Sequence, residues 1–90
     1  MRKIKLTEEM WKEGKMFVSY CPELDVAACG ETVEQAKKNL AEVIEINIEE
    51  TKKKGTLQAF LNETGFIVSE GDTFYLKKEL IGFEPIEVVI

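Results

Sequence analysis

Ninety residues carry 12 basic and 17 acidic side chains and no histidine, a formal net charge of −5. One domain is expected at this length, and 44% hydrophobic with 32% charged residues is the composition of a soluble folded chain. The acidic balance argues against tight nucleic-acid binding, which rests on Lys and Arg against phosphate, and the lack of His removes His-based triads and general-base schemes.

No apolar run is long enough to span a bilayer. The basic start MRKIKLTEEM is not followed by an apolar core, so a cytoplasmic location is expected. Residues 2 to 11 place Ile4, Leu6 and Met10 on one parity and Lys3, Lys5 and Thr7 on the other, which predicts a half-buried strand. KEGK (12 to 15) reads as a hairpin turn. MFVSYC (16 to 21) reads as a second strand, ended by Pro22, which has no N–H to give a ladder. DVAACG (25 to 30) reads as a third, with its strand core at Val26 to Cys29, and the three form an antiparallel meander.

Thr32 followed by Gln35 is a capping box in front of an apolar-periodic run. Glu34 in the first turn and Lys52 to Lys54 in the last suit the helix dipole, and Gly55 supplies the stop. At about 100° per residue, Val33, Ala36, Leu40, Val43, Ile44 and Ile48 form one face. Glu34, Gln35, Lys38, Glu42, Glu45, Glu49 and Lys53 form the other. Ile46 departs from the pattern. It is either an isolated exposed apolar residue, which is ordinary, or a subunit or partner contact.

TLQAFLNETG (56 to 65) predicts a short second helix with Leu57, Phe60 and Leu61 inward and Gly65 as its cap. FIVSEGDTFYL (66 to 76) predicts a hairpin turning at Ser69-Glu70-Gly71-Asp72. FEPIEVVI (83 to 90) predicts a last strand, with Pro85 marking an edge position. Ile86, Val88 and Ile90 would line its apolar side, available to a second copy or a partner's sheet.

The segment PELDVAACGETVEQAKKNL resembles the HicB-like antitoxin family through Pro22-Glu23-Leu24, Gly30-Glu31-Thr32, Glu34, Ala36, Asn39-Leu40 and Glu42. The resemblance covers residues 1 to 55, with 56 to 90 as an extension of one domain spanning 1 to 90. It implies an α+β fold: a three-stranded antiparallel meander under a covering helix, a β-β-β-α-β core like a partial ribonuclease H fold, then a short helix and C-terminal strands. It further implies a non-catalytic antitoxin that neutralises a HicA-type toxin, a small basic mRNA-cleaving ribonuclease, by direct contact. Asp25-Val26 replaces the Pro-Gly of many relatives. Residues 56 to 90 carry no helix pair with a basic recognition face, so operator binding is not expected of this chain.

The residues themselves leave alternatives open. Glu23, Asp25, Glu31 and Asp72 could be offered for a metal-dependent nuclease, but they sit at loops and strand ends, where turn chemistry explains them. Cys21 and Cys29 have no zinc-ligand spacing and read as small buried hydrophobes. Cys29 precedes a helix N-terminus, but no base is evident beside it. No metal or cofactor site is therefore expected. The candidate partner-binding residues are Pro22, Glu23, Leu24, Asp25 and Ile46; the candidate oligomer edge is Ile86, Val88 and Ile90. A homo-oligomer, dimer or tetramer, is expected. The alternative is an orphan oligomeric module of the same fold that binds another protein or a small ligand.

Overall fold

In this computed structural model residues 4–63, 67–70, 73–76 and 78–90 are described. The chain is α+β. Three antiparallel strands, β1 (Glu9–Glu13), β2 (Met16–Cys21) and β3 (Val26–Gly30), form a sheet in the order β1-β2-β3. A long helix α1 (Val33–Lys53), a short helix α2 (Leu57–Glu63) and a separate hairpin of β4 (Ile67–Glu70) and β5 (Thr73–Leu76) follow.

The first strand starts later than the alternation predicts. β2 offers partners only as far as Cys21, and the register pairs Glu9 with Tyr20 and Glu13 with Met16. Beyond Cys21 comes Pro22, so residues before Glu9 have no ladder to join. Lys12 and Glu13 lie in β1, and the hairpin turns on Gly14-Lys15 alone. Gly14 has φ +61°, as the first central position of a type II′ turn requires.

The register divides the sheet into two faces. Phe17, Ser19 and Cys21 pair with Gly30, Ala28 and Val26 and share one face. Ser19 and Cys21 are fully buried, so this is the face under α1, which packs on β2 and β3. Ala36 and Leu40 of α1 are buried with them; Val33, Val43, Ile44 and Ile48 are half-buried, and the polar face is exposed. The opposite sheet face carries Trp11, Val18 and Cys29 in one row and Glu9, Tyr20 and Ala27 in the next.

The start of α1 is tied to the end of β3. Thr32 is the N-cap and accepts from the Gln35 N–H at 3.0 Å. The reciprocal half of the capping box is not made: the Gln35 amide donates instead to Asn39 Oδ1 at 2.9 Å. Asn39 Nδ2 in turn donates to the Cys29 carbonyl at 2.8 Å, clamping helix to strand. At the other end Lys54 is the C-cap and Gly55 takes φ +71°, the left-handed residue that follows many helices.

α1 is 21 residues, or about 31 Å, and outruns the sheet. α2 packs against it with Leu61 buried, and the β4–β5 hairpin packs on α2. β4 includes Ser69 and Glu70, expected in the turn; Gly71, Asp72 and the Gly65 cap lie outside the described residues. The expected last strand is not formed: residues 79–90 are without strand structure, and among the described residues no sheet edge pairs with them.

The resulting molecule is elongated, 48 × 29 × 21 Å with a radius of gyration of 15.3 Å, against about 12 Å for a compact 90-residue domain. Its accessible surface is 7177 Å², whereas a monomer of 10.3 kDa is expected to show about 5,350 Å².

Candidate functional site

The loop between β2 and β3, residues 22–25, is built around two side-chain hydrogen bonds. Glu23 is 6% exposed and its Oε1 accepts from the Thr7 N–H at 2.8 Å. That bond satisfies a backbone donor lying beyond the end of the β1–β2 ladder, and it pins the N-terminal segment to the loop. The Cys21 thiol donates to the same oxygen at 3.5 Å. Asp25 adopts φ +53°, a left-handed conformation that Asp tolerates better than most residues. It is held there by the Tyr20 hydroxyl, which donates to Asp25 Oδ1 at 2.7 Å.

Both neighbours respond electrostatically. Accepting carboxylate Oδ1 favours the protonated phenol, so the bond to Asp25, with desolvation and the Asp25 charge behind it, raises the Tyr20 pKa. Burial is the main cause that pushes the Cys21 thiol up to about 11, and the Glu23 charge adds to it. Cys21 is thus a neutral thiol at physiological pH, packed as a small hydrophobe. Cys29, expected to be buried, is instead exposed on the open sheet face, because β3 is an edge strand and α1 covers only its other side.

Beside the loop lies a cleft of about 340 Å³ lined by Thr7, Glu9, Pro22, Glu23, Lys78, Glu79 and Leu80. Its charged lining is three acidic residues and one lysine. Leu80 and Phe83 also line a second recess with Glu8, Glu9, Met10 and Trp11. The C-terminal segment therefore runs past β1 in the direction of that strand, and Phe83 stacks on Trp11 with ring centroids 6.0 Å apart.

Of the predicted partner-binding residues, Pro22, Glu23, Leu24 and Asp25 fall together in this loop. Only Asp25 is exposed; Glu23 is a buried brace and its neighbours Pro22 and Leu24 are half-buried. Ile46 is 62% exposed among Glu45, Glu49, Glu50 and Lys53 on α1. β3 spans about 17 Å and eleven helical residues rise about the same, so α1 draws level with the loop near Ile44. Ile86, Val88 and Ile90 are exposed but belong to no strand, which corrects the expected sheet edge. Thr7 and Trp11 were not singled out by the sequence. The signal available for Thr7 was Pro22 itself, which ends the strand and leaves the residues opposite it to find partners outside the ladder. Among the described residues no cluster of three or more His, Cys, Asp or Glu is arranged to hold a metal ion, and no helix is long and apolar enough to cross a membrane.

No family model, curated protein or solved structure matches this chain.

Proposed function

We propose that this chain is a non-catalytic protein-binding domain of the HicB-like antitoxin type, acting in the cytoplasm as a homo-oligomer. It neutralises a HicA-type, mRNA-cleaving toxin by covering the toxin's surface. The observation that carries this reading is the braced acidic loop: Asp25 is presented outward in a fixed conformation by Tyr20, and Glu23 anchors the loop's base to Thr7. A loop ordered before binding loses little entropy on docking. Its Asp25, with Glu9 and Glu79 along the neighbouring cleft, offers a negative field to a basic partner. Ile46, ringed by Glu45, Glu49 and Glu50 on α1, supplies an apolar anchor in a surface of the same sign.

Titration calorimetry of the purified chain against a HicA-type toxin tests this. Binding is expected to weaken with salt, and Asp25→Ala with Ile46→Ala together should weaken it by about 10-fold or more, since each 1.4 kcal/mol is tenfold. Salt-independent binding, or none by a folded chain, would remove the reading.

One observation favours a second reading. The cleft of about 340 Å³ is at the lower end of small-ligand pocket sizes, about 300–1,000 Å³, which suits an orphan oligomeric module with a small cationic ligand. Binding of a small amine, lost on Glu9→Gln and retained without any protein partner, would favour it.

A further inference from the structure

Two apolar surfaces of the protomer are left uncovered, and they adjoin one another. The first is the sheet face turned away from α1, where the register sets Trp11, Val18 and Cys29 side by side across all three strands. Trp11 is 51% exposed, and Ala27 and Cys29 are exposed with it. The second is the C-terminal arm. Phe83 rests on Trp11, and from there Ile86, Val88, Val89 and Ile90 stand 79–116% exposed, in contact with almost nothing of their own chain.

The arm is short and has neither helix nor strand structure. Laid against a partner as a strand, it sets Ile86, Val88 and Ile90 on one side and Glu87 and Val89 on the other. It leaves its protomer at the edge of the open sheet face. We infer that two copies of this chain pair about a two-fold axis, each keeping Phe83 on its own Trp11 and laying residues 86–90 across the rest of the open Trp11–Val18–Cys29 face of the other. A two-fold pairing makes the exchange reciprocal, so both arms and both open faces are covered at once.

Area supports the second copy as the occupant. The protomer shows about 1,800 Å² more surface than a compact monomer of its mass. Part of that surplus comes from α1 and the elements beyond the sheet, but a symmetric pair that hides only a little over half of it on each copy already buries about 2,000 Å², the lower end for obligate homodimers. The pairing leaves the Ile46 surface of α1, across the sheet from the open face, to another partner. It needs no toxin, so its failure and the failure of the antitoxin reading are separate results.

Light scattering on the full chain alone tests the pairing. The expected mass is twice 10.3 kDa. The single tryptophan, Trp11, should emit at a shorter wavelength in the pair than in monomer. The double substitution Ile86→Asp with Val88→Asp should yield a monomer with red-shifted Trp11 emission and unchanged far-ultraviolet circular dichroism, because neither side chain belongs to the core. Cys29→Arg, which alters the open face and spares the arm, should do the same. A full chain that stays monomeric at high micromolar concentration overturns the inference, whether Trp11 is exposed or shielded by its own arm. A dimer that survives both sets of substitutions overturns it equally.

Discussion

Gly30→Ala should unseat the start of α1. Gly30 is buried at the last position of β3, two residues before the Thr32 cap. A Cβ there would lie 2.7 Å from the Ala36 N, 2.9 Å from Gln35 Cβ and 3.0 Å from the Gln35 carbonyl carbon. Favourable contacts need about 3.5 Å or more, so the first turn of α1 has to retreat by most of an ångström. Two of the atoms met are backbone, with no rotamer to absorb the change. The retreat also pulls on the Gln35-to-Thr32 cap bond and the Asn39-to-Cys29 clamp. Overpacking costs about 1–3 kcal/mol and a weakened cap about 1 kcal/mol, giving about 2–4 kcal/mol. For a chain this size that lowers Tm by about 8–32 °C. Thermal unfolding followed by circular dichroism measures it, with Gly82→Ala as control: nothing lies within 4 Å of a Cβ there, and Tm should hardly move. A Gly30→Ala protein melting within a degree or two of wild type would refute the close approach of α1 to β3.

Leu40→Ala, at a side chain 1% exposed beneath α1, should cost about 2–5 kcal/mol, read by urea denaturation. Ser19→Ala should be neutral or stabilising by up to about 1 kcal/mol in the same assay, because Ser19 Oγ is buried with no hydrogen-bond partner among the described residues. The Cys21 thiol is raised from 9.0 to about 11 in the fold. The folded state therefore holds this proton more tightly than the unfolded state. Its contribution is complete below pH 9 and is lost as pH rises from there through about 11. Stability of wild type relative to Cys21→Ala should fall across that window and stay constant from pH 6 to 8.

The meander, α1 and its buried stripe could be read from the sequence because local signals agree there. Thr32, the apolar spacing from Val33 to Ile48 and Gly55 each state the same helix, and the fold has no reason to override them. The errors fall where a strand depends on a partner. Ile4 and Leu6 alternate like strand residues, but the partner strand stops at Cys21, and Glu23 takes the Thr7 N–H instead. Ile86, Val88 and Ile90 alternate as well, yet no edge among the described residues of the same chain receives them. Alternation reports which side chains want cover; pairing is decided by what lies alongside. The candidate loop was legible in position but not in its parts. Glu23 was expected to offer itself to a partner and proves to be a buried brace, a role fixed by the Thr7 N–H sixteen residues earlier.

The most direct measurement is mRNA cleavage by a HicA-type toxin in the presence of increasing amounts of the purified chain. The account predicts that cleavage falls to zero at a fixed stoichiometric ratio. It also predicts that Asp25→Ala with Ile46→Ala shifts the required amount upward while leaving the circular dichroism spectrum unchanged. Undiminished cleavage in an excess of folded chain would contradict it.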